Sequence, residues 1–118
     1  MGEIQHRVLA AIPAEQVNPQ MTRRLVWGER VMASWIELKK GAVVPSHQHE
    51  NEQLTYCISG VMRFTFPDRE LTLRGGEVLV IPSNVPHGAE MLEDTVEMDL
   101  FSPPRQDWIS GSDAYLRK

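Results

Sequence analysis

The sequence predicts an all-β fold, a sandwich or barrel of the jelly-roll type, and three observations carry that reading. Turn residues recur at short intervals from Gly28 to Pro86. The segments between them are mostly about six residues long and rich in Val, Ile, Thr, Phe and Trp, as short strands are. No long amphipathic helix interrupts them, so the chain has only sheets with which to bury apolar surface.

The expected strands, in chain order, are 30–38, 53–59, 61–66, 70–73, 77–81 and 95–101. Alternation is clearest in Met62-Arg63-Phe64-Thr65-Phe66 and in Val96-Glu97-Met98-Asp99-Leu100, each with one apolar and one mixed face. Ser59-Gly60 and Asp68-Arg69 fit hairpin turns, and Arg74-Gly75-Gly76 supplies the positive-φ positions of a tight reversal. Residues 1–20 are expected to be an N-terminal arm, irregular over 13–20, and 102–118 a Pro-started tail with one helical turn near Gln106. With 118 residues the chain fits one domain, since two would each be too short to bury an adequate core.

The net charge of -4, with Lys and Arg scattered singly or in pairs, disfavours nucleic acid as a partner, because such binding rests on clustered cations at phosphates. No apolar run approaches the ~20 residues that span a bilayer. The N-terminus lacks a basic start followed by an apolar block and a cleavage site, so no membrane association and a cytoplasmic location are expected. Cys57 is the one cysteine, which fits a reducing compartment.

Three of the four histidines fall at expected strand ends. His47 and His49 have the two-residue spacing that puts both imidazoles on one side of a strand, and Gln53 follows on the same parity. His87 would arrive from another strand after Pro82 and Pro86. Three imidazoles and an amide oxygen suit one divalent transition-metal ion (Ni, Zn, Fe, Mn or Co) better than Ca or Mg. His6, alone in the arm, reads as an ordinary surface histidine. Cys57 lies four residues beyond Gln53, about 13 Å along a strand, too far to join the same ligand set, and reads as core. Trp27, Trp35 and Trp108 are expected to pack or to lie at an interface, and Glu50 and Glu52 to face solvent.

These residues sit inside a longer pattern that resembles the cupin superfamily. Its first motif reads here as Gly41, AVVPS, His47-Gln48-His49, ENE, Gln53, LTYCIS, Gly60, with Gln53 where the family has Glu. Its second reads as Gly76, EVLVI, Pro82-Ser83-Asn84, VP, His87, GAE, Met91, with Asn84 for Gly and Met91 for Asn. Asn tolerates the left-handed conformation that Gly supplies, so the turn should survive. Met91 is read as a packing change. Gln53 removes a negative charge from the metal site. The resemblance implies a jelly-roll barrel, motifs at 41–60 and 76–91, and His47, His49, Gln53 and His87 as metal ligands.

Asp99 and Phe101 share one face of the last strand, and Arg105 follows Pro103-Pro104. If that face is the interior, an acid, a ring and a guanidinium meet at the cavity, a set suited to an anionic sugar. The Asp-x-Phe-x-x-x-Arg spacing and the ligand set resemble the small cupins called KdgF, of pectin and alginate breakdown. That resemblance implies linearisation of 4,5-unsaturated monouronates, with Asp99 and Arg105 catalytic, Phe101 and Arg105 holding the substrate, and a homodimer. A metal-dependent dioxygenase on a small organic substrate and a non-catalytic sugar-acid binding or sensor cupin are the alternatives.

Overall fold

The computed structural model describes residues 2–117; Met1 and Lys118, the outermost residues of the expected arm and tail, lie outside the described residues. Ten strands run in the order β1 (Glu15–Asn18), β2 (Met21–Trp27), β3 (Met32–Leu38), β4 (Val43–His47), β5 (Glu52–Ser59), β6 (Val61–Phe66), β7 (Arg69–Arg74), β8 (Val78–Ile81), β9 (His87–Met91) and β10 (Thr95–Ser102). They form two antiparallel sheets, one of six strands ordered β1-β2-β3-β10-β5-β8 and one of four ordered β4-β9-β6-β7. The jelly-roll expectation holds, with one correction to the barrel. Hydrogen bonding stays within each sheet, so the barrel is two facing layers and is not closed.

The six expected strands are present with ends shifted by two residues or fewer, and four more accompany them. The stretch 13–20 is not irregular, because Glu15–Asn18 pairs with β2, Glu15 lying opposite Arg23. Three of the four strands that the residue pattern hides carry an exception to strand chemistry. The inward position at the middle of β2 is Arg23, 1% exposed. β4 contains Pro45, tolerated because β4 is an edge strand with a register shift between Val44 and His47. β9 is built from Gly88 and Ala89, since a side chain at Gly88 would meet the Ser46 amide nitrogen and the Val44 carbonyl at 3.1 Å. The hairpin between β6 and β7 turns on Pro67-Asp68, because Phe66 already pairs with Arg69.

Asn84 adopts φ 63°, the left-handed conformation expected for the residue standing at a family glycine, while Gly60 and Gly76 take φ 100° and 90°. Met91 is buried, as are Cys57 and Trp108.

β10 faces inward with its mixed side. Thr95, Glu97, Asp99 and Phe101 are buried, while Val96, Met98 and Leu100 lie half-exposed on the outer face. The registers build the interior in layers. Phe101 lies opposite Gln53 and Met32, Asp99 opposite Thr55 and Ser34, and Glu97 opposite Cys57 and Ile36.

Beyond β10 the chain turns through Pro103 and Pro104, whose carbonyls accept hydrogen bonds from Asn51 Nδ2 at 2.6 and 3.3 Å. It then forms α1 (Gln106–Ser110), the helical turn expected near Gln106, and a 3-10 turn at Ala114–Leu116. Asp113 and Arg23, both buried, pair at 2.6 Å, and Arg117 bridges Asp113 at 2.7 Å and Glu15 at 2.6 Å. The last turn is thereby tied back onto β1 and β2.

Candidate metal centre

His47 ends β4 opposite His87, which begins β9, and His49 follows in the loop. One ring nitrogen from each of the three lies within 4.8 Å of the others. In every case Nδ1 faces a backbone carbonyl two residues away: Pro45 for His47 at 2.9 Å, Asn51 for His49 at 2.9 Å and Val85 for His87 at 2.8 Å. A carbonyl only accepts, so each Nδ1 carries the proton and each Nε2 keeps its lone pair. That is the tautomer a metal ligand needs, oriented by its outer hydrogen bond. His87 Nε2 is buried with no partner within the protein.

Burial pushes the His47 pKa down to about 4, aided by Arg105 and the neighbouring imidazoles against the Pro45 bond. His49 is also lowered to about 4, by burial first and then by Arg105 and His87. His87 is lowered by burial and Arg105, against the bond to Val85. The cluster is therefore neutral at pH 7 and presents lone pairs.

Gln53 completes the set through an amide whose orientation is fixed from behind. Its Nε2 donates to Thr55 Oγ1 at 2.9 Å, and Thr55 Oγ1 donates to Asp99 Oδ1 at 2.6 Å. The amide oxygen is then the atom 3.1 Å from His49 Nε2. Two acceptors at that distance repel one another unless a cation lies beside both. Three neutral imidazoles and one amide oxygen thus fit a divalent transition-metal ion, and they leave its charge undiminished.

The cavity on the metal side is lined by His47, Gln53, His87, Asp99, Phe101 and Arg105, so the structure brings together the acid, ring and guanidinium singled out in the sequence. Asp99 and Glu97 are both fully buried and in contact. Burial and the Asp99 charge raise the Glu97 pKa well above the usual carboxylate range. Burial also raises Asp99, while hydrogen bonds from Thr55 and Glu97 and the charge of Arg105 hold it down. Phe101 meets the His49 ring edge-on at 5.7 Å and the Trp108 ring at 5.0 Å.

The Arg105 guanidinium is largely committed within the chain. Its Nε and Nη2 already bind Asp107 at 2.9 and 2.7 Å, and Nη2 also donates to Tyr115 Oη at 2.8 Å. The fork is occupied within the chain, and the unpartnered donor is the buried Nη1. Its guanidinium lies 4.7 Å over the Trp108 ring and 5.1 Å over Phe101.

Sequence reasoning missed Thr55, Glu97 and Tyr115. Tyr115 comes from the last 3-10 turn, packs its ring against His47 at 4.6 Å in a tilted arrangement, and joins Arg105 and Trp108 through its hydroxyl. Trp108, expected as packing, also lines the cavity. Glu50 and Glu52 are exposed, as is His6.

Residues 34–102 match the Cupin domain family, and the chain belongs to it. Among its relatives, the pectin degradation protein KdgF of Dickeya dadantii (strain 3937) is 27% identical over 100 residues, covering 82% of this chain and 91% of that protein. An H2HPP isomerase of Bacillus subtilis is 28% identical over 100 residues, 75% of this chain but only 42% of that protein. Among solved structures, KdgF from Halomonas sp. superposes with a TM-score of 0.83 at 29% identity, covering 90% of this chain and 99% of that one. The polyketide cyclase RemF from Streptomyces resistomycificus, with a TM-score of 0.73 at 23% identity, shares the fold.

Proposed function

We propose that this chain linearises 4,5-unsaturated monouronates released from pectin or alginate, opening the ring and converting the resulting enol to a ketone. The observation that carries the reading is the meeting of Asp99, Phe101 and Arg105 in the cavity that His47, Gln53 and His87 also line. The similarity to KdgF proteins points to the same substrate class.

The reaction is an isomerisation. The anomeric O1 loses its proton, the C1–O5 bond breaks to leave an aldehyde at C1, and the electron pair on O5 becomes the enolate of C5. Protonation at C4 then completes the C5 ketone, so one proton travels from O1 to C4 and no oxidant is consumed. Asp99 carries that proton; its burial, the hydrogen bond from Thr55 and the nearby positive charge of Arg105 support the role. Arg105 Nη1 offers a single charge-assisted donor to the substrate carboxylate. Phe101 supplies an apolar wall for the ring. His47, His49, Gln53 and His87 would hold a divalent transition-metal ion, which when bound supplies Lewis-acid stabilisation of negative charge on oxygen.

The test follows the ultraviolet absorbance of the conjugated C4=C5 bond with metal-loaded protein and unsaturated monouronates from each polymer. Metal-dependent loss that disappears in Asp99→Asn at unchanged metal content is expected; loss no faster than the spontaneous rate rejects the reading.

We read residues 1–118 as one cytoplasmic cupin domain that forms a homodimer. The outer face of the six-stranded sheet supports the dimer: Tyr56 lies opposite both Met98 and Val78, Met98 opposite Trp35, and Tyr56, Val78 and Val80 are 41%, 54% and 56% exposed. A contiguous apolar sheet face of this kind is the usual mark of an interface.

A further inference from the structure

Glu97 has no part in the proposed ligand set, yet it lines the same cavity as Asp99 and is 5% exposed. Its neighbours across the sheet are Ile36 on β3 and Cys57 on β5. Ile36 offers no polar atom, and Cys57 directs its thiol to the carbonyls of Ser59 and Gly60. Glu97 Oε2 has no hydrogen-bond partner. Its carboxyl meets the carboxyl of Asp99, two residues on along the same face. Two buried carboxylates in contact cannot both be ionised, so the pair must share a proton.

The surroundings decide which of the two carries it. Asp99 Oδ1 accepts from Thr55 at 2.6 Å and feels the Arg105 cation, whereas Glu97 has neither a donor nor a cation beside it. The proton therefore belongs to Glu97.

Building on the function proposed above, we infer that Glu97 is a positioning residue for Asp99, its carboxyl donating a hydrogen bond that holds the Asp99 carboxylate from the closed end of the cavity. Asp99 is then gripped from two sides, by Thr55 toward the metal ligands and by Glu97 behind. The reacting carboxylate is fixed in rotation, and a second acid in an otherwise apolar layer has a reason to be there.

The first test does not depend on any substrate. Infrared spectra of zinc-loaded protein carrying carboxyl-13C glutamate should show a protonated carboxylic acid band at pH 7 that vanishes in Glu97→Gln. A wild-type spectrum without that band overturns the inference, whether or not the protein acts on uronates. The second test reads turnover of an unsaturated monouronate. Glu97→Gln keeps a donor and should stay within a few-fold of the wild-type kcat. Glu97→Leu and Glu97→Met remove the donor and should lower kcat by about 100-fold with KM and zinc content unchanged, since misplacing a catalytic group by about 1 Å costs that much. Urea unfolding and zinc content establish that both apolar variants are folded and metal-competent. Wild-type kcat in a folded Glu97→Leu or Glu97→Met protein refutes the positioning role. Equal loss in Glu97→Gln refutes it as well.

Discussion

Replacing Thr55 by Val removes one hydroxyl and changes the shape of the side chain very little. In the native protein that hydroxyl donates to Asp99 Oδ1 at 2.6 Å and accepts from Gln53 Nε2 at 2.9 Å, and Thr55 is 0% exposed. Valine would leave two buried polar groups without that partner, one of them a carboxylate. At about 1–3 kcal/mol for each unsatisfied group, the metal-free protein should lose about 2–6 kcal/mol of stability to urea. The same change frees the Gln53 amide to rotate, so its oxygen is no longer held toward His49. Partners that orient a metal ligand are worth about 10–100-fold in affinity, and zinc binding measured by competition with a chromogenic chelator should weaken by that factor. Thr55→Ser keeps the hydroxyl and should restore both quantities. Unchanged zinc affinity and unchanged stability in Thr55→Val would refute the claim that this hydroxyl organises the ligand and the acid together.

Metal-free protein should lose stability on acidification between about pH 6.5 and 4. His47 and His49 fall from 6.5 to about 4 on folding, so the unfolded chain binds more protons in that window; their contribution is complete above 6.5 and lost as the pH drops through 4, which urea midpoints at pH 7 and pH 4.5 will report. Asp107→Ala takes the carboxylate from the buried Arg105 fork and should cost about 1.5–3 kcal/mol in urea unfolding, with a raised KM for the uronate if Arg105 holds the substrate carboxylate. Met98→Glu places a charge at the centre of the outer apolar face, and sedimentation velocity should show a monomer whose zinc content matches the wild type.

The legible strands were those whose turns and alternation obey ordinary strand chemistry, such as β5 and β6. Strands β2, β4 and β9 escaped because Arg23, Pro45 and Gly88 occupy places where a strand normally shows an apolar or branched residue. Metal-site chemistry was readable because His47, His49 and Gln53 fall within one short stretch, although the loop between β4 and β5, and not a shared strand, brings His49 to the other two histidines. Asp99 and Phe101 were readable because they share one parity of β10, but not the direction in which they point. β10 turns its acids inward and Val96, Met98 and Leu100 outward, the reverse of what hydrophobicity alone dictates. Glu97 was hidden by that inversion and Thr55 by the matching one on β5, since an acid and a threonine on a strand ordinarily face water. Tyr115 was out of reach for a different reason: its place over His47 depends on the tail folding back through Asp113 and Arg117.

The three imidazoles are set by the carbonyls of Pro45, Asn51 and Val85, not by side chains. A side-chain substitution cannot delete a carbonyl. The tautomers are therefore inherited with the path of the backbone, and any sequence that keeps the bulge before His47 and the turn before His87 keeps them too. Side chains at positions 45 and 85 can therefore change without retuning the nitrogens, whereas Asn51 is held by a second task, its amide binding the Pro103 and Pro104 carbonyls.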